Sequence, residues 1–581
     1  MMDNVHRFTR HEHFVMSVLS VIFGLLGGAA GIVFRETIGL IQAGFFGSPS
    51  DLLAFDRTQI EWWRIPLATT AGGLIVGLLV YYLMPGRRPY AVADVIEASA
   101  LRGGRMNLRV GLGAALISAT TLGSGGSAGR EGPVVHLAAS LCAFLGERLK
   151  LGPAMQQTVL GCGVAAGVAA SFNAPIAGVF FALEVVVGHY ALAAFAPVVI
   201  ASVTGTLVSR IYFGDFPAFV IPPHEITSFW EFPAFALLGV VSAIGSILFI
   251  KSVGFSQKVF SSIPKLPVWA RPALGGLALG IIGIFLPEVL GVGYFATDQA
   301  LRGELPLLIL FTLIVAKTAA TAITLGSGGG GGVFSPSLFI GAMIGGTFGV
   351  VATLVQPELS SGHSAYTLIG MGAMSGAVLG APISTILIVF ELTGDYELTI
   401  GVMIATVIAS QISLNVLGFS FFSWQLHQRG VSLKGGREAA VMRSRSVRDV
   451  MKDDLLTVGP GASLERIRGN LIESAYGELF VVDGSNRLIG TITLRDLAQN
   501  AFEHEKDDVL TAGDIARRDP PTACVTDTIE TAISILESCR EEHIAVLDTG
   551  DAPTLVGVLH ERDVLAAYHR AVLATRPTEP T

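Results

Sequence analysis

The sequence predicts an all-α polytopic membrane protein, built as two repeats with broken helices and followed by a cytosolic α/β module. Three observations predict it. Charge is the first: the 581 residues are 51% hydrophobic and only 14% charged, where a soluble chain carries about 25%. The shortage is confined to the first 430 residues, which hold 21 residues of each sign; from Val431 onward there are 17 basic and 25 acidic residues. Long apolar segments are the second, recurring near 15–35, 64–84, 192–212, 233–251, 271–291, 305–325, 336–355 and 399–418, each near the ~20 residues a bilayer crossing needs. The third is internal repetition. Thr-Leu-Gly-Ser-Gly-Gly stands at 121–126 and again at 324–329, and each copy is followed some 50 residues later by an Ala-Pro step and then a glutamate. These are Ala174-Pro175 with Glu184, and Ala381-Pro382 with Glu391. The expected organisation is a transport domain over 1–430, a linker over 431–446, and two small soluble domains over 447–505 and 511–572.

Along the chain, the first apolar run, Val15 to Val33, is free of charge and follows Arg7 and Arg10. It reads as a retained first span with a cytoplasmic N-terminus. A charged tail without a secretion signal belongs on the same side, so both termini are expected in the cytoplasm, with the protein multi-pass in an inner or plasma membrane. Shorter apolar segments near 109–122, 134–148, 156–170, 174–188, 366–378 and 383–393 are interrupted by Gly and Pro. They read as helices that stop inside the protein, tolerated only where broken backbone is buried or lines a polar pathway. Matching interrupted segments in two halves point to a transport site at the repeat interface. The competing reading is a pair of Gly-rich faces serving helix packing alone.

Gly129-Arg130-Glu131-Gly132-Pro133 follows the first repeat and opens an apolar helix. Bare N–H groups at a helix start favour an anion. Glu131 then places a carboxylate beside that site, able to occupy it when ionised and to leave when protonated, which is a gate. The structural alternative is a Glu–Arg pair in a turn; intramembrane ionisable residues favour function. In the second half, Gly332-Val333-Phe334-Ser335-Pro336 takes the corresponding place, with the N–H groups of Val333 and Phe334 presented and the ring of Phe334 narrowing the passage.

The tail repeats too. Val447-Arg448-Asp449-Val450-Met451 and Ala512-Gly513-Asp514-Ile515-Ala516 open two similar units, each with a helical stretch, a strand, a turn and a second strand ending in an Asp-bearing helix start. A basic linker with Lys434, Arg437, Arg443, Arg445 and Arg448 precedes them and reads as a solvated connector or a lipid-attracting run.

The membrane motifs resemble the CLC anion channel and transporter family, from about residue 60 to the last span, and the tail resembles tandem CBS domains. The resemblance implies a voltage-gated chloride channel type of protein, a homodimer with one pathway per subunit, each built from two inverted repeats, and Glu131 as the gating glutamate. It implies anion-binding roles for Gly129, Arg130, Gly132, Val333 and Phe334. Three departures stand out. The family's first signature carries a serine hydroxyl; this chain has Pro89-Tyr90-Ala91-Val92-Ala93-Asp94, with Tyr90 near the serine position. A tyrosine hydroxyl from the last membrane helix normally completes the site, and Phe422 stands there. Family exchangers often carry an intracellular-side glutamate after the position of Glu184, and here that place is Val185. The first two open the way to nitrate or another weakly hydrated anion. The third favours a Glu131-gated channel over a proton-coupled chloride or nitrate antiporter, which stays the alternative with Glu184 as its candidate proton path. In the tail, Gly490 to Asp496 resembles the CBS pattern in which a hydroxyl meets phosphate and an Asp meets ribose, giving Thr493 and Asp496 those roles toward an adenine nucleotide; the alternative is a dimerisation and gating module.

Partners expected are chloride or another small anion and the lipid bilayer. No basic stripe of a nucleic-acid binder is present. Cys142, Cys162, Cys524 and Cys539 lack metal or disulfide spacing, and no nucleophile–base pair or metal-ligand cluster suggests an enzyme or a required cofactor.

Overall fold

The computed structural model describes residues 2–47, 61–188, 192–214, 219, 226, 228–431, 445–474, 477–497, 510–539, 542–550 and 552–575. The linker residues Lys434, Arg437 and Arg443 lie outside them. The chain forms two compact units that part between Gly430 and Val431.

The first unit is helical throughout. Its elements are α1 (Met2–Phe46), α2 (Arg64–Leu83), α3 (Val92–Leu101), α4 (Leu108–Gly123), α5 (Glu131–Arg148), α6 (Pro153–Phe172), α7 (Pro175–Phe181), α8 (Leu192–Phe213), α9 (Phe232–Ser262), α10 (Arg271–Phe285), α11 (Tyr294–Leu301), α12 (Leu307–Gly326), α13 (Phe334–Val355), α14 (Gly362–Leu379), α15 (Pro382–Thr393), α16 (Tyr396–Leu417) and α17 (Phe421–His427). Among the described residues, eight helices are long and apolar enough to cross a membrane. Their outward faces carry large apolar side chains, such as Leu40, Ile211, Leu308 and Leu354, as a surface turned toward lipid does. Prolines at the first turns of α6, α7 and α15 explain why the broken helices begin where they do, since that position needs no N–H partner. A single wider turn, Ala182–Val187, extends α7.

The repeat is visible atom by atom. The Thr121 Oγ1 accepts from Gly330 N at 3.0 Å, and its counterpart Thr324 Oγ1 accepts from Ser127 N at 3.2 Å. On the repeat's axis, Gly129 and Gly332 pair with each other, N to O at 2.7 Å and 2.8 Å. A side chain here would crowd the pair: a Cβ on Gly332 would lie 3.2 Å from Gly132 N. Likewise a Cβ on Gly72 would sit 2.0 Å from Ser124 Oγ, and one on Gly275 2.2 Å from Ser327 Oγ. Close approach at matched positions is why these glycines are needed.

The second unit holds two sheets. The first runs β1 (Thr457–Val458), β2 (Glu478–Val482), β3 (Leu488–Thr493) and β4 (Arg517–Arg518) in spatial order; the second runs β5 (Thr522–Cys524), β6 (His543–Leu547) and β7 (Leu555–His560). In each, the first pair is parallel and the next antiparallel. The helix Leu464–Glu473 covers one sheet and Ile529–Cys539 the other, each through an apolar stripe. Phe480, Ala545, Leu555 and Val558 form a shared core, and the Lys452 and Val558 backbones exchange two bonds of 2.9 Å.

Candidate functional site

Glu131 is the first residue of α5, 1% exposed. Its Oε1 accepts from the Tyr294 hydroxyl at 2.8 Å and from the Ser335 hydroxyl at 2.5 Å. Ser335 lies in the first turn of α13, so a carboxylate from one repeat reaches the helix start of the other. That is where orphan N–H groups and the helix dipole hold negative charge. Its Oε2 is buried without a hydrogen bond among the described residues.

Beside the carboxylate lies a cavity of about 60 Å³, several times the space a single water needs. Its wall includes Glu131, Gly132, Val333, Phe334, Phe422 and Arg429. Phe334 is set by an aromatic cluster, its ring 4.7 Å from Phe172 and 5.9 Å from Phe181. Of the residues expected at the anion site, then, Glu131, Gly132, Val333, Phe334 and Phe422 come together here.

Three expected residues are placed differently. Gly129 donates its N–H to Gly332 O, so that group is committed to the repeat axis and has none left for an anion. Arg130 stands off the cavity wall, with its guanidinium 4.9 Å above the Tyr294 ring. Tyr90 is beside the wall rather than on it: its hydroxyl donates to Pro85 O at 3.1 Å and Arg88 covers its ring at 4.1 Å. Its neighbours Pro89, Ala91 and Val92 supply the lining. The serine hydroxyl of the family pattern therefore has no side-chain substitute from this segment.

Glu184 does not point along the cavity. Its two oxygens accept from Ile383 N at 3.1 Å and Ser384 N at 2.9 Å, capping α15. This engages both oxygens of the candidate proton-path residue.

Four participants escaped the sequence reading. Tyr294 follows Gly291-Val292-Gly293, a loop with no periodic signal, and Ser335 sat inside a quoted motif without its hydroxyl being singled out. Asp94 and Arg429, 335 residues apart, pair at 2.8 Å at one end of the cavity, with Arg88 on the same carboxylate at 2.6 Å. Spacing alone could not bring those two together.

In the second unit, Thr493 and Asp496 bond to each other: the Thr493 N–H and hydroxyl both donate to Asp496 Oδ2 at 2.8 Å, capping the helix Leu494–Leu497. A cavity of about 160 Å³ lies between the two copies, lined by Asp454, Glu473 and Glu478 of the first and His543 and His560 of the second among others. Glu478 and His543 pair at 3.1 Å, and the His543 and His560 rings meet edge to face at 4.3 Å. Burial, then the neighbouring His543, push His560 down to about 4.

With this geometry in hand, comparison with known proteins is informative. The family described as "Voltage gated chloride channel" matches residues 72–414, and the CBS domain matches 447–503 and 512–570. The chain is 33% identical over 396 residues to a putative chloride channel protein ClcB-like from Ralstonia nicotianae, covering 68% of this chain and 92% of that one. It is 32% identical over 400 residues to the voltage-gated ClC-type chloride channel ClcB of Escherichia coli O81, covering 68% and 95%. Among solved structures, it is similar to a slow cyanobacterial Cl-/H+ antiporter with a TM-score of 0.64 at 21% identity, over 71% of this chain and 97% of that one. A eukaryotic CLC transporter matches 94% of this chain and 98% of its own with a TM-score of 0.61 at 20% identity. A CLC-type fluoride/proton antiporter matches with a TM-score of 0.59 at 23% identity, over 71% and 98%.

Proposed function

The chain belongs to the voltage-gated chloride channel family, and from that premise we propose that it conducts small monovalent anions through a pore gated by Glu131. The observation that carries this reading is the position of the Glu131 carboxylate. It is buried where the two repeats meet, held by the hydroxyls of Tyr294 at the start of α11 and Ser335 at the start of α13, with the cavity beside it. Occupying such a site when charged and leaving it when protonated is how a side chain gates an anion path.

A passive channel is favoured over proton exchange because no spare titratable group stands at the usual intracellular position. Glu184 is engaged as a helix cap, and Val185 carries no proton. The exchanger reading draws support from two similar structures described as proton antiporters. The proposal extends to a homodimer with one pathway per subunit, both termini cytoplasmic, and a tail that regulates the pore. An adenine nucleotide is the candidate tail ligand; binding it at Thr493 and Asp496 requires those two to release each other.

The test is reconstitution in liposomes with anion efflux and internal pH recorded together, for chloride and nitrate. The expected result is anion flux without stoichiometric proton movement, and loss of its pH dependence in Glu131→Ala. Proton countermovement in fixed ratio to the anion would replace the channel by the antiporter.

A further inference from the structure

Lys317 lies in the middle of α12, fully buried at 0% exposure. An ionisable amine inside a membrane domain is costly and marks a functional role by default. Among the described residues it makes no ion pair. Its Nζ donates instead to Val289 O and Gly291 O, each at 2.9 Å, and lies 5.0 Å from the centre of the Phe339 ring.

Those two carbonyls belong to the short loop that delivers Tyr294. Gly291 and Gly293 both have positive φ, +59° and +92°, conformations that only glycine adopts without strain. Gly293 sits directly on the lysine: a Cβ there would fall 2.6 Å from the Phe339 ring and 3.2 Å from Lys317 Nζ. The residue that follows is Tyr294, first in α11, whose hydroxyl donates to Glu131 at 2.8 Å. The loop is also tied to the first repeat by Gly291 N to Gly125 O at 3.3 Å, weaker by distance than the lysine bonds.

We propose that Lys317 is a positioning residue for the gate: by holding the carbonyls of Val289 and Gly291 it sets the Tyr294 hydroxyl against Glu131 and so stabilises the closed state. The inference rests on the reading of Glu131 as the gate. Without the Lys317 amino group, two buried carbonyls lose their donor, and the loop must shift to find others. The bond most directly affected is the one at the end of the loop.

The experiment is a double-mutant cycle on flux in liposomes, read as the pH of half-maximal anion efflux. Tyr294→Phe removes a donor to the closed carboxylate, so opening needs less acid and the midpoint moves upward by about one pH unit. Lys317→Met is expected to move it the same way, and the double variant no further than the larger single change. Lys317→Arg, which keeps donors for both carbonyls, is expected to restore the original midpoint. Two results overturn the proposal: a wild-type midpoint in Lys317→Met, or shifts that add in the double variant, the signature of a charge acting through space. Should Lys317→Met not yield monodisperse protein, Lys317→Gln keeps one donor, and a partial shift that does not add to Tyr294→Phe is then expected; an unshifted or additive midpoint overturns it equally. Glu131→Ala separates the two levels. If it keeps the wild-type pH dependence, the gate reading falls; if it flattens the curve while Lys317 variants leave the midpoint in place, only the present inference falls.

Discussion

Glu184 and Glu391 each cap the helix that leads to the other. Glu184, at the end of the segment begun by α7, accepts from Ile383 N and Ser384 N at the start of α15. Glu391, near the end of α15, accepts from Ile176 N and Ala177 N at 2.8 Å and 2.7 Å, at the start of α7. The two helices run antiparallel as halves of the inverted repeat, and each carboxylate meets the positive end of its neighbour's dipole. This reciprocity accounts for the repeated Ala-Pro and glutamate spacing.

Removing either carboxylate leaves two N–H groups without their charged acceptor. Glu184→Ala and Glu391→Ala are each expected to cost roughly 1–2 kcal/mol of stability, and Glu184→Gln less. Thermal unfolding in detergent would read this. In flux assays, Glu184→Gln is expected to match wild type in both rate and pH dependence, and a lost pH response would return Glu184 to the proton path.

Gly129→Ala tests the packing around the gate. The added Cβ would lie 2.8 Å from Glu131 Oε2 and 3.1 Å from Ser335 N, so the carboxylate has to move away from the start of α13. The expected outcome is higher anion flux at neutral pH, in the direction of Glu131→Ala. Unchanged flux with intact folding would mean that the carboxylate's seat tolerates displacement.

Much of this was legible in the chain. Composition separates the two units because lipid contact excludes charge, and the paired Thr-Leu-Gly-Ser-Gly-Gly segments locate the axis because close backbone approach demands glycine. Glu131, Val333 and Phe334 follow from helix starts rich in glycine. What stayed hidden depends on contacts between distant segments. Tyr294 reaches Glu131 across 163 residues, from a loop with no pattern of its own, and Arg429 meets Asp94 only after the last helix folds back. Gly129 misled for a related reason: a glycine at a helix start presents an N–H, but whether that N–H is already bonded depends on its partner, Gly332. Tyr90 was one residue off the cavity wall because extended segments alternate sides, so a small misplacement changes the face.

Phe422→Tyr probes selectivity. Phe422 stands on the cavity wall and is 5% exposed, so a hydroxyl added to its ring would place a donor near the pathway. A compact, strongly hydrated anion gains more from a new donor than a larger, weakly hydrated one. Chloride flux relative to nitrate is therefore expected to rise by about tenfold, the low end of what one hydrogen bond to a charged acceptor is worth. Competition between the two anions in liposomes measures it, and an unchanged ratio would show that backbone N–H groups alone set the preference.

The tail should respond to acid through His560. Burial first, then the His543 ring, hold it down to about 4, with Lys452 adding to the effect and Asp563 opposing it. An unfolded chain would titrate this histidine near 6.5. Between those values the unfolded state binds the extra proton and the folded state does not, so stability is full above pH 6.5 and falls as the pH drops toward 4. The loss should be local, because His560 ends β7, which pairs with β6 along its whole length. Hydrogen-exchange protection of Leu555–His560 in the full-length protein, corrected for intrinsic exchange, is expected to decline from pH 7 to pH 4.5. His560→Thr places there the residue type found at Thr493 in the first copy and removes the titrating ring, so its protection should stay level over the same range. If the variant declines in step with wild type, another group drives the response, with the Glu478–His543 pair the first to examine.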